Sequence, residues 1–378
     1  MEQNTFVAGS FKGFPDFDPG AAIDIHTSYP AGLDAPSWDP FITKLNGDGS
    51  YAWTRTFGGP GFDTGDSVGA DADGNVFFAG TFRGYVDFDP GEGEERHPQY
   101  DGYNDCFITP LGPDGSYRWT RTLPPDFLSH GPPLAVDHHG NVIVAGTFTV
   151  FVDFDPTPDI DFRIAKTPYS LFVTKLYGDG SYAWTQTFDT TINGSPSDVS
   201  VDADDNIILA GTWSGTVDFD PGPGVKEFTS PNVPGVVDAF ILQLSAGGDY
   251  QWVRVLTGLN NNHADRVATG SDGDVFVLGR ADWAADPTDI DPGCGVENIY
   301  TSVTGEGTFI MRLTCIEPTS DFTSDGLVDL RDLAAFQNCF TADPPSACPS
   351  GCEVLDFDHD DDIDLSDFYA LQRVFAGL

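Results

Sequence analysis

Basic residues are scarce in this chain. Seventeen Lys plus Arg stand against 59 Asp plus Glu in 378 residues, a formal charge of −42. Such a surface repels nucleic acid and anionic lipid and favours cations and solubility. No stretch approaches the roughly 20 apolar residues that cross a bilayer, so neither a nucleic-acid partner nor membrane insertion is expected. The opening MEQNTFVAG has neither the basic region nor the apolar region of a secretory signal. Helical periodicity is missing until the last sixty or so residues, which excludes a helical solenoid. HExxH, GxSxG and P-loop signatures are all missing, and the seven histidines are scattered. Carboxylate pairs of the glycosidase type would stand at one or two places and break a repeat, whereas the prominent acids here recur. The enzyme question stays open on sequence, with a non-catalytic role expected.

Cysteine is sparse and unevenly placed. Four of the six (Cys106, Cys294, Cys315, Cys339, Cys348 and Cys352) fall in the last 64 residues, and no CxxC pair occurs. That pattern points to disulfides in an oxidising compartment rather than to a zinc ribbon.

What the chain does have is repetition. The stretch Asp73 to Gly91, DGNVFFAGTFRGYVDFDPG, returns from Asn4 to Gly20, from Asn141 to Pro156, from Asn206 to Gly222 and, most worn, from Asp274 to Gly293. Its marker glycines are Gly9, Gly80, Gly146, Gly211 and Gly279, at steps of 71, 66, 65 and 68 residues. A fixed period of this kind means a repeat architecture. Each unit holds four short runs rich in β-branched and aromatic residues, bounded by Gly, Asp, Asn or Pro. In the second unit these are 67–71, 76–82, 106–111 and 117–123.

Turns such as Asp71-Ala72-Asp73-Gly74-Asn75 join the first two runs. The third run, as in Phe172 to Leu176, alternates apolar with polar, as a half-buried strand does. The fourth carries Tyr-x-Trp at Trp53, Trp119, Trp184 and Trp252, rings expected to wedge between units. The first unit lacks its leading strand and the last lacks its fourth. The chain also begins inside the turn that precedes a strand in the other copies, which points to a lost or misassigned N-terminal portion.

These features predict a mainly β chain: a β-propeller of about five four-stranded blades over residues 1–316, the first and last incomplete. The pattern GNVFFAGTFxGxVDFDPG followed by DxFITKL and DGSYxWT resembles the SBBP-type propeller repeat of bacterial secreted proteins. That resemblance implies export to the extracellular space or cell surface and says little about activity. Long, poorly repeating connections follow each DFDP, where binding usually resides, and Trp38 lies in one of them. The VDFDPG aspartates Asp16, Asp18, Asp87, Asp89, Asp153, Asp155, Asp218, Asp220, Asp289 and Asp291 admit two readings: Ca²⁺ chelation in pairs, or turn and bulge formation before Pro.

Residues 317–378 form a second unit after the linker Glu317-Pro318-Thr319-Ser320. Two 12-residue loops offer oxygens at matching positions. The first comprises Asp321, Thr323, Asp325, Leu327 through its carbonyl, Asp329 and Asp332; the second comprises Asp356, Asp358, Asp360, Asp362 through its carbonyl, Asp364 and Asp367. Hard oxygen donors at this spacing suit Ca²⁺ in EF-hand fashion and not zinc. Thr323 is a weak ligand, so the second site is expected to bind more tightly, although Asp361 stands where a glycine would ease the turn.

Each loop opens a helix, with Leu333, Phe336 and Phe340 matching Phe368, Leu371 and Phe375. The paired loops resemble a type I dockerin module, a small α-helical domain. The resemblance implies a cohesin-like or cell-surface partner and association with polysaccharide breakdown, and hence a carbohydrate-binding alternative. The segment from Thr341 to Val354 is longer than in a compact dockerin, and Cys339 could clamp to Cys348 or Cys352.

Overall fold

A computed structural model describes residues 4–313 apart from 32–34, 99–103, 124–130, 150, 158, 166–169, 231–234, 259, 271–272, 284–287, 290–297 and 300–304. Strands and turns account for its regular structure. Among the described residues no helix is long and apolar enough to cross a membrane.

Among the described residues five antiparallel sheets of three or four strands follow one another along the chain. The second holds Thr64–Ala70, Val76–Phe82, Asp105–Leu111 and Arg121–Leu123. The third holds Leu134–Val136, Val142–Phe148, Ser170–Leu176 and Tyr182–Asp189. The fourth holds Asn193–Val201, Ile207–Ser214, Asp238–Leu244 and Tyr250–Leu256. Each is a four-stranded meander in chain order. The first sheet has three strands, Thr5–Phe11, Asp39–Leu45 and Tyr51–Thr56, and the fifth has Asn262–Thr269, Val275–Trp283 and Gly305–Leu313. Among the described residues the first sheet has no leading strand and the fifth no fourth strand. The architecture is mainly β and propeller-like.

The repeat fixes register. Gly9, Gly80, Gly146, Gly211 and Gly279 each sit opposite a phenylalanine of the third strand: Phe41, Phe107, Phe172, Phe240 and Phe309. In the second sheet the Phe107 ring lies over Gly80 on one side and the Thr64 carbonyl closes in on the other, leaving no room for a Cβ. Apolar clusters form between consecutive sheets. Ile42 and Trp53 of the first meet Val76, Phe78 and Phe107 of the second, and Ile208, Ala210 and Ile241 of the fourth meet Val275, Val277 and Met311 of the fifth. The far side of the fifth sheet carries Phe276, Leu278 and Ile310 in solvent, Ile310 at 78% exposure.

The tryptophans lie between sheets. Trp53 Nε1 donates to the Pro113 carbonyl at 3.2 Å and Trp119 Nε1 to the Gly178 carbonyl at 3.0 Å, in each case reaching the turn of the next sheet. Arg55 and Arg121 stack on these rings and donate to Gly115 and Gly180 in the same turns.

Two expectations are corrected. The third strands are buried along their whole length in the second, third and fourth sheets, not half-buried, because sheets stack on both of their faces. Their polar positions are satisfied internally: the hydroxyls of Thr109 and Thr120, and of Thr174 and Thr185, pair at 2.9 Å. The fourth strand of the second sheet begins at Arg121, not Tyr117, which makes only an isolated bridge to Leu111. Pro110 stands where the other copies carry Lys44 and Lys175, and without an N–H it interrupts the ladder.

Candidate functional site

The VDFDPG aspartates brace backbone. Asp16, Asp87, Asp153 and Asp218 each use Oδ1 to accept the N–H groups two and eight residues on. Asp18, Asp89, Asp155 and Asp220 each accept the N–H two residues on. These bonds fold the connection after the second strand into a two-stranded ribbon, as in Phe151–Asp153 with Phe162–Ile164. The turn-forming reading of the motif thus has a geometry. The Asp289 side chain and Asp291 lie outside the described residues.

Each ribbon buries one side and shows the other. Val152 and Phe154 join the core between the second and third sheets. Tyrosines of the fourth strands help to hold the ribbons: Tyr51 donates to Asp24 and Tyr182 to Asp161, and burial followed by the neighbouring carboxylate pushes both phenols up to about 12.

The outward positions differ between copies. In the third repeat they are Phe151, Phe162 and Ile164, with Ile160 beside them, all more than half exposed, and Phe151 and Phe162 meet edge to face at 6.1 Å. The equivalent positions are Tyr85, Arg96 and Pro98 in the second repeat and Thr216, Glu227 and Thr229 in the fourth. The first repeat carries Phe14, Ile23 and Ile25 at the positions of Phe151, Ile160 and Phe162, also more than half exposed, so apolar outward positions occur in the first and third ribbons and largely polar ones in the second and fourth. Trp38, singled out in the sequence, is partly exposed and leans on Phe62 at 6.4 Å.

A cavity of about 950 Å³ lies among the leading strands, lined by Asp66, Ser197, Asp198, His263, Asp265, Arg266 and Arg280 among others. Bulges shape it. The leading strands of the second, fourth and fifth sheets slip register between Gly65 and Ser67, between Pro196 and Asp198 and between Ala264 and Arg266, just past the residue facing the marker glycine. A bulge re-aims side chains, and Asp66, Ser197 and Asp265 are the extra residues. Arg280 grips Asp265 through two bonds of 2.7 and 3.0 Å. Burial raises the Asp198 carboxyl against the opposing Val267 N–H and the Arg266 charge. Both signs of charge line the cavity, a chemistry suited to a polar ligand rather than an apolar one. Sequence reasoning missed it because the leading strands vary in sequence.

Asp321, Thr323, Asp325, Leu327, Asp329, Asp332, Asp356, Asp358, Asp360, Asp362, Asp364 and Asp367, together with every cysteine but Cys106, lie outside the described residues. Cys106 is buried in the third strand of the second sheet.

No family model matches the chain. It is similar to an uncharacterized WD repeat-containing protein of Acanthamoeba polyphaga mimivirus, 23% identical over 249 residues, covering 59% of this chain and 18% of that protein. The chain thus spans less than a fifth of the relative it matches. With the stacked meanders, this fits a propeller-like repeat protein.

Proposed function

We propose that the protein is an exported, non-catalytic, repeat-based interaction scaffold. Its body presents the third-repeat patch to a protein partner, and residues 317–378 form a dockerin-like module that holds two Ca²⁺ ions for attachment or assembly. The observation that carries the reading is the cluster of Phe151, Ile160, Phe162 and Ile164, all in solvent on one ribbon. Exposed apolar patches of this kind mark protein interaction sites. The repeat-based likeness to a WD repeat-containing protein supports the same class.

The experiment replaces the patch with the residues of the fourth repeat, Phe151→Thr, Phe162→Glu and Ile164→Thr. Wild-type and triple-variant proteins, matched in thermal stability, are used to capture partners from an extracellular protein fraction. A partner retained by the first and lost by the second is expected. Identical capture by both would overturn the reading. A glycan array run in parallel gives the carbohydrate alternative its chance: sugar binding that survives in the triple variant would favour it.

A further inference from the structure

The turns between leading and second strands share one frame. In Asp71–Asn75, Asp137–Asn141 and Asp202–Asn206 the first Asp accepts the N–H groups two and four residues on through Oδ1, and the Asn amide through Oδ2. Between these anchors the second repeat reads Ala72-Asp73-Gly74. The third reads His138-His139-Gly140 and the fourth Ala203-Asp204-Asp205. The departures are His138, His139 and Asp205, and although some 66 residues separate them they touch. His138 Nδ1 lies 2.8 Å from Asp205 Oδ1, and His139 Nδ1 lies 2.7 Å from Oδ2. The His138 N–H also donates to Oδ1 at 2.9 Å.

Asp205 takes φ 62°, the one non-glycine residue in this region of the backbone among those described, where the sibling turns have glycine. Its carboxylate is nearly buried, whereas the imidazoles are 61% and 77% exposed. Asp137, His139 and Asp205 offer ligand atoms that all lie within 4.8 Å of one another.

We propose that this junction between the third and fourth sheets binds a first-row transition-metal dication of the Zn²⁺ type, held by Asp137, His139 and Asp205, while His138 stays on the other oxygen of Asp205. Imidazole nitrogen with carboxylate oxygen suits zinc, at distances of roughly 2.0–2.2 Å from the metal. The present nitrogen-to-oxygen separations need to open only by about half an ångström to admit the ion, and exposed rings can swing that far. Asp137 is held in place by its bonds to backbone, Asn141 and Lys175 and offers the third ligand oxygen. Imidazole is a poor ligand for Ca²⁺, so this site is distinct in chemistry from all-oxygen loops.

The test is calorimetric titration of the full chain with Zn²⁺ in excess Ca²⁺, which saturates oxygen-only sites, with Co²⁺ absorption reporting nitrogen ligation. Wild type is expected to take up one Zn²⁺ with micromolar affinity. H139A and D205G should each bind at least tenfold more weakly and lose the Co²⁺ bands. Asp205→Gly is the safe variant for the fold, because it restores the sibling residue at a backbone angle natural to glycine, and its metal-free melting temperature should match or exceed that of wild type. No uptake by wild type, or undiminished uptake by D205G, would overturn the proposal.

Discussion

Asp137→Ala is expected to cost the fold about 3–5 kcal/mol, the loss typical of stranding one member of a buried ion pair. Asp137 Oδ2 meets the Lys175 ammonium at 2.8 Å, with both side chains almost fully enclosed, while Oδ1 accepts two backbone N–H groups. Lys175→Gln is expected to cost less than about 1 kcal/mol, because the fourth sheet already uses that pairing: Gln243 donates to Asp202 at 3.0 Å. There two backbone N–H groups and the amides of Asn206 and Gln243 hold the Asp202 carboxylate. Burial works against the charge on Asp137, but Lys175 and Asn141 outweigh it and hold the carboxyl below its ordinary 3.8. Since the folded-state pKa is depressed, the stabilisation is present above the unfolded value and is lost as pH falls through the folded one. Denaturant titrations of both variants in EDTA check this, and equal losses would contradict it.

Gly80→Ala is expected to destabilise by about 3 kcal/mol, at the upper end for overpacking. An added Cβ would collide with the Thr64 carbonyl, which is backbone at a bulge and cannot move without breaking the ladder. Gly211→Ala meets the Ser195 carbonyl and Gly279→Ala the His263 carbonyl in the same way. Gly9→Ala is the informative contrast. Among the described residues its sheet has no leading strand, and the close neighbour there is the Phe41 ring, so the cost should be about 1 kcal/mol. Thermal melts of Gly9→Ala and Gly80→Ala side by side measure the difference. Equal melts would mean that the leading strand does not explain the repeated glycine.

Several features of the body were legible because they repeat. The glycine-to-phenylalanine register and the inter-sheet tryptophans both follow from residues that recur at one spacing. Other features depended on what lies across space. Alternation suggested half-buried third strands, but Thr109 and Thr174 are enclosed because a further sheet covers each of them. A tandem Asp-Phe-Asp-Pro reads equally as cation ligand or turn former, and its turn-forming bonds became visible only across the ribbon, where the N–H eight residues on reaches Oδ1 of the first Asp. The partnership of His139 with Asp205 was visible only as two unrelated lapses in the turn pattern. The cavity at Asp66, Ser197 and Asp265 arises from bulges, which leave no fixed residue type behind.

Burial of a different kind acts at Asp63. Enclosure drives its carboxyl up to about 6, although the Arg83 and Gly59 N–H groups pull the other way. It ties the connection between the first and second sheets to the end of the second strand, a bracing role again.

The buried and hydrogen-bonded repeat residues thus build and brace, and the proposed chemistry lies elsewhere: on the outward side of the third ribbon, in the His138–His139 turn and in the terminal loops. Calcium stoichiometry tests this division most directly. Calorimetric titration of the full chain should show two Ca²⁺ sites, the tighter one from the loop beginning at Asp356, and none after Asp321→Ala and Asp356→Ala are combined. Calcium sites that survive the double substitution, in number with the DFDP ribbons, would contradict it.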